Sequence, residues 1–200
     1  MGKGKIRRNA APPFAFGYHG RGPFAARIAH GGDMYTVGEV VNYGVMGVMR
    51  ITDVTEETLQ DVTKKYYVLE ELRGDGSSKI FVPLDNERLV ASIRPLISKI
   101  EAQELLEEIK DLAEVDWHRD NRVRTERFRE IIESCDRRMI LSMIKTVISK
   151  AHEREAEGKK GFISDTNMMN KAKKMLYSEL AYVLELPYSE AAEHFDAFFG

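Results

Sequence analysis

The sequence predicts an α+β protein: a small Tudor/SH3-like β-barrel followed by an all-α helical domain. Two observations carry this. Residues 34–97 hold short β-branched runs punctuated by glycine and turn residues, with no helical period. Residues 98–200 hold apolar side chains at helical spacing, bounded by capping residues. Residues 1–33 show neither pattern. With Pro12, Pro13, Pro23 and several glycines they read as a disordered basic leader. Two readings stay open for that leader, a basic arm against nucleic acid or a stretch ahead of a true start at Met34, and the second is the simpler.

In the β-domain, Val37, Val40 and Val41 form one β-branched run, and Val45, Val48 and Ile51 a second. Gly38, Gly44 and Gly47 interrupt them, as bulges and tight bends of a small barrel do. Lys65-Tyr66-Tyr67-Val68-Leu69 is a third strand and Lys79-Ile80-Phe81-Val82-Pro83 a fourth. Arg73-Gly74-Asp75-Gly76-Ser77 joins them with an Asp-Gly turn signal. Pro83 lacks a backbone N–H, which marks an edge or a strand end. Ser92-Ile93-Arg94-Pro95 is a short fifth strand.

From Ser98 the period becomes helical. Ser98 and Glu101 have the spacing of a capping box, and Leu105, Leu106, Ile109 and Leu112 form one apolar face behind them. A second helix is predicted over 121–134, with Phe128, Ile131 and Ile132 inward, and a third over 137–156, with Ile140, Ile144, Val147, Ile148 and Ala151 inward. Ser164 is the expected N-cap of a long fourth helix reaching Leu186, with Met168, Ala172, Met175, Leu176, Val183 and Leu184 inward and Pro187 as its stop. Ser189 is the expected cap of a last short helix through Phe198. The result is a small helical bundle.

The net charge of −2 hides a strong segregation. Residues 1–33 carry +5, residues 101–116 carry −6, residues 117–174 carry +6 and residues 175–200 carry −5. A nucleic-acid backbone responds to the local field rather than to the average. No apolar run reaches the roughly 18 residues of a membrane span, and no apolar stretch of a secretory signal follows the basic start. The lone cysteine, Cys135, allows no internal disulfide framework. These features predict a cytoplasmic protein with no membrane partner.

Catalytic patterns are missing. There is no G-x-x-x-x-G-K-[ST] loop, no G-x-G-x-x-G after a strand, and no pair of histidines at metal spacing. Cys135, beside Ile131 and Ile132 on an amphipathic helix, reads as a small core residue. The chain is therefore expected to be no enzyme, with no catalytic residue, metal, cofactor or small-molecule substrate.

Asp116-Trp117-His118-Arg119-Asp120-Asn121-Arg122-Val123-Arg124 stands apart. It holds the one tryptophan, closes an acidic stretch and opens a basic one. Guanidinium groups bind phosphate bidentately, and an indole stacks on bases or wedges between them. Taken alone, the stretch better fits a tryptophan that plugs a corner between helices beside solvated arginines. A second basic group is Lys171, Lys173 and Lys174, with Lys171 and Lys174 on one helix face and Lys173 displaced from it. Alone it is a solvated face. Both groups between acidic flanks favour a nucleic-acid contact.

The segment from Tyr35 through Val48, Tyr66-Tyr67-Val68-Leu69, Ile80 to Asn86 and Ile93 to Ser98 resembles the CarD and CdnL family. So do Asp116-Trp117-His118-Arg119, Ile163-Ser164, Lys171-Ala172-Lys173-Lys174 and Ser178-Glu179-Leu180, in the same order. Asp120 and Asn121 depart from the family pattern. The resemblance implies a bacterial transcription regulator. Its N-terminal domain binds the RNA polymerase β subunit by a strand edge, here assigned to Lys79, Ile80, Phe81, Val82 and Pro83. Its helical domain contacts promoter DNA at the upstream edge of the bubble, with little sequence dependence. Trp117 is the implied wedge, Arg119 and Arg122 hold the backbone, and Lys171, Lys173 and Lys174 add phosphate contacts. The implied outcome is a stabilised open complex. The alternative is an interaction module that binds polymerase or another partner without touching DNA.

Overall fold

The computed structural model describes residues 35–59, 62–72 and 79–199. The leader 1–33, Met34 and the turn expected at Arg73 to Ser77 lie outside the described residues. The chain forms two compact units. One takes the residues up to Tyr43 and Val48–Pro95, and the other takes Gly44–Gly47 and Leu96–Gly200.

The first unit is an antiparallel sheet. Its strands are β1 (Val40–Tyr43), β2 (Gly47–Leu59), β3 (Val62–Glu71), β4 (Lys79–Pro83) and β5 (Ile93–Pro95), in the order β4-β3-β2-β1-β5. A turn leads in, with Glu39 N–H donating to Thr36 C=O at 3.1 Å and Gly38 at φ +92°. The third residue of such a turn needs positive φ, which glycine supplies without a Cβ clash. β2 and β3 pair from Met49↔Glu71 to Leu59↔Val62, with a register shift between Ile51 and Asp53. This bulge bends the longest strand. Alternate residues Val41, Met49, Ile51, Tyr67, Leu69, Val82 and Ile93 are buried together. Each such side chain contributes roughly 1.5–3 kcal/mol by leaving water.

Two features differ from expectation. The sheet is open, with β4 and β5 as its edges, rather than a closed barrel. Both edge strands are short and end in proline, Pro83 and Pro95, which has no N–H to extend a ladder. A five-residue helix, α1 (Glu87–Ala91), lies between β4 and β5. Asn86 caps it by accepting from Leu89 N–H at 3.2 Å, and Leu89 and Val90 pack on the sheet core.

The second unit holds α2 (Lys99–Glu107), α3 (Asn121–Ser134), α4 (Arg137–Ala156), α5 (Ile163–Val183) and α6 (Tyr188–Asp196), with 3-10 turns after α2 and α6. The expected capping box of α2 is formed, Ser98 Oγ accepting from Glu101 N–H while Glu101 accepts from Ser98 N–H. Asp120 and Asp136 cap α3 and α4. The expected serine caps of the last two helices are not used. Phe162 and Pro187 hold those positions, and Ser164 donates instead to Asn121 Oδ1 at 2.7 Å. Cys135 is buried, as expected, but sits just past α3 as its C-cap, at φ +55°. The core joins Leu105, Leu106 and Ile109 of α2 and its 3-10 turn to Phe128, Ile131 and Ile132 of α3, Ile140 and Ile144 of α4, and Ala172, Leu176 and Leu180 of α5. Among the described residues no helix is long and apolar enough to cross a membrane.

Candidate functional site

The Trp117 corner is built around a buried arginine. Arg124 points inward from the first turn of α3, and its side chain is 0% exposed. Its Nε donates to Asp165 Oδ2 of α5 at 2.8 Å. Its other nitrogens donate to the carbonyls of His118 at 2.7 Å and Arg119 at 3.3 Å, and to Asn121 Oδ1 at 3.0 Å. A buried guanidinium needs its donors satisfied, and here they reach into the segment that carries Trp117. The guanidinium carbon lies 4.3 Å from the Trp117 ring centre and 4.7 Å from that of Phe162. Trp117 and Phe162 are 5.7 Å apart, and Arg154 covers Phe162 at 4.1 Å. Cations over aromatic faces are attracted by the ring quadrupole, more so when desolvated.

Trp117 is half-buried, with its Nε1 buried and without a hydrogen-bond partner among the described residues. The segment before it is pinned where Val115 N–H donates to Thr146 Oγ1 at 2.8 Å. Lys145 Nζ donates to the carbonyls of Ile109, Lys110 and Leu112, in and just after the 3-10 turn that follows α2. Asp120 and Asn121 also have structural work. Asp120 accepts from Arg122 N–H at 2.8 Å and Val123 N–H at 3.0 Å, and these backbone bonds hold its carboxyl below the usual range. Asn121 links Arg124 to Ser164.

Cations divide into spent and free ones. Arg127 pairs with Glu130, Arg129 with Glu126, Arg138 with Glu108 and Lys150 with Glu153. Arg119, Arg122, Lys171 and Lys174 are exposed and form no ion pair among the described residues. Lys173 differs. Its Nζ lies 2.8 Å from Asp196 and its side chain is mostly covered, so it ties α5 to α6 rather than joining the face of Lys171 and Lys174. Tyr177 donates to the same carboxylate at 2.7 Å, and burial with that bond pushes its hydroxyl pKa far above the ordinary value.

In the sheet, β4 is an edge strand. Leu84 N–H donates to Lys65 C=O at 2.9 Å, and Val82 and Ile80 continue that parity against Tyr67 and Leu69. Alternation then aims the N–H and C=O of Phe81 at the open edge. Phe81 is 44% exposed and meets Tyr66 edge-on at 6.4 Å between ring centres. Val82 and Ile80 face the core, and Lys79 pairs with Glu70 at 2.8 Å. Of the strand expected to meet polymerase, the outward offer is therefore its backbone edge and the Phe81 ring.

Residues 35–97 match the family model of the CarD-like/TRCF RID domain. This segment is similar to a CarD-like RNA polymerase-interacting domain. No curated protein matches the sequence significantly. The matched RID domain takes in the whole sheet and α1, including the β4 edge, and ends before α2.

Sequence reasoning missed Arg124, Asp165 and the aromatic partner Phe162. A signal was present. Arg124 stands four residues before Phe128 and Asp165 seven before Ala172, so each occupies the inward face of its helix.

Proposed function

We propose that this chain is a non-catalytic bacterial transcription regulator that binds the RNA polymerase β subunit through its RID domain and promoter DNA through its helical unit, stabilising the open complex. The family match over residues 35–97 carries the polymerase part. The Phe81 edge fits binding by strand addition, in which main-chain bonds supply affinity. The DNA part rests on Trp117 beside the free cations Arg119 and Arg122, with Lys171 and Lys174 on α5. Phosphate contacts position without reading sequence, and a ring inserted at an unstacked step opposes re-annealing. Binding to polymerase raises the effective DNA concentration, so weak DNA affinity suffices.

A second reading has an observation in its favour. One face of Trp117 is covered by Arg124, as a corner plug would be. On that reading the helical unit makes no DNA contact. Open-complex lifetime with a bacterial polymerase separates the two. Under the leading reading wild type lengthens it and Trp117→Ala does not. Equal action of both proteins returns Trp117 to a plug, and no action by either removes the regulatory reading.

A further inference from the structure

The two basic groups lie apart in sequence, yet α5 joins them. Taken from Ile163 at 100° per residue, Asn167, Asn170, Lys171 and Lys174 fall within a sector about 100° wide. All five side chains are exposed, Ile163 by 79%. The stripe runs about 16 Å along the helix at 1.5 Å per residue. It contains no carboxylate: Asp165, the acid of the first turn, is turned inward to Arg124. Its N-terminal end lies at the Trp117 corner, because the neighbours of Ile163 on either side touch that corner. Phe162 stacks on Trp117, and Ser164 bonds Asn121.

Resting on the proposed DNA reading, we infer that this outer stripe of α5 is one continuous DNA-binding surface, in which Ile163, Asn167 and Asn170 are contact residues. The occupant is the DNA backbone and the groove edge beside Trp117. Charge complementarity argues for it, with free lysines at the far end and free Arg119 and Arg122 at the near end. Asparagine amides donate to phosphate oxygens without adding charge. An exposed isoleucine beside an indole is the kind of apolar side chain that enters an opened base step.

The test compares open-complex lifetime on promoter DNA with saturating protein and bacterial polymerase for wild type, Ile163→Ser, Asn170→Asp and Gln103→Glu. Gln103 is exposed on α2, so its variant adds the same charge off the stripe. All three positions are exposed, so thermal unfolding should be nearly unchanged. Trp117→Ala reports on the underlying reading. The expected result is that Ile163→Ser and Asn170→Asp each shorten the protein-dependent lifetime about threefold, the loss of roughly one contact among several, while Gln103→Glu leaves it unchanged. If Trp117→Ala abolishes the effect but the two stripe variants act like wild type, the stripe is overturned and the DNA reading stands. Equal losses in Gln103→Glu and Asn170→Asp would also overturn it, since general charge would then account for both. If wild type itself does not lengthen the lifetime, the DNA reading fails and the stripe with it.

Discussion

Arg124 and Asp165 form a buried ion pair between α3 and α5, with Arg124 Nε 2.8 Å from Asp165 Oδ2. The same guanidinium binds the His118 and Arg119 carbonyls and stacks on Trp117. One side chain thus fixes both the helix packing and the seat of the candidate wedge. Its removal leaves a buried carboxylate without its partner. Arg124→Met is expected to cost about 3–5 kcal/mol in urea unfolding. The double variant Arg124→Met/Asp165→Leu removes both charges and should recover most of that loss. No recovery would mean that the carbonyl and aromatic contacts, rather than the ion pair, dominate.

Glu179 offers a graded comparison. It is buried and accepts from Arg137 at 2.6 and 3.0 Å and from Ile97 N–H at 3.0 Å. Burial opposes the Arg137 charge, but the Glu179 bonds outweigh it and raise the guanidinium pKa. Arg137 is partly exposed, so it can turn to water if Glu179 is lost. Glu179→Gln should therefore cost less than Arg124→Met, about 1–3 kcal/mol in the same assay.

Acid should unfold the helical unit by named groups. Asp120 is held below its ordinary pKa by backbone bonds at the α3 cap, Glu101 by the Ser98 capping box and Glu108 by Arg138. Depressed folded values mean stability that is complete above the ordinary carboxylate range, about pH 4, and lost as pH falls below it through those lowered values. Asparagine also caps helices well. Asp120→Asn should keep neutral stability and shallow the acid limb of a pH–denaturation curve, while an unchanged limb would remove Asp120 from the account.

Tyr177 works at the opposite end. Its pKa is raised by burial and by Asp196, so its contribution is complete below the ordinary tyrosine value, about pH 10, and is lost as pH rises above it. Tyr177→Phe should cost about 1 kcal/mol at neutral pH through the lost bond to Asp196. Its stability should then fall less between pH 9 and pH 11, values taken roughly one unit either side of that range.

The β4 edge is testable by one backbone donor. Phe81→Pro removes an N–H that faces outward, so the ladder to β3 should survive, as edge positions allow. Phe81→Val removes the ring but keeps the donor. If polymerase binds by strand addition, Phe81→Pro should lose capture of the β subunit while Phe81→Val retains part of it. Equal capture by Phe81→Pro and wild type would move the contact off this edge.

Much of the helical unit was legible in the sequence. The stretches 121–134 and 137–156 are the observed spans of α3 and α4, because each is long enough to repeat its apolar period and begins after an aspartate cap. α1 was not legible, since five residues repeat no period. β2 runs on to Leu59, well past the β-branched run expected to end at Ile51, because its outer half is held by pairing with β3 rather than by burial of its own side chains.

The sequence by itself determined the two kinds of structure, the inward faces of the helices, the strand that became the β4 edge, and the presence of Trp117 between acidic and basic segments. These are local properties, set by period, caps and charge within a few turns of chain. Only the tertiary structure decided that the sheet stays open, that Arg124 and Asp165 meet, and that Lys173 is spent on Asp196. Those outcomes depend on partners far apart in sequence. An arginine on an apolar face announces that it needs a partner, but which carboxylate answers is chosen by how the helices pack.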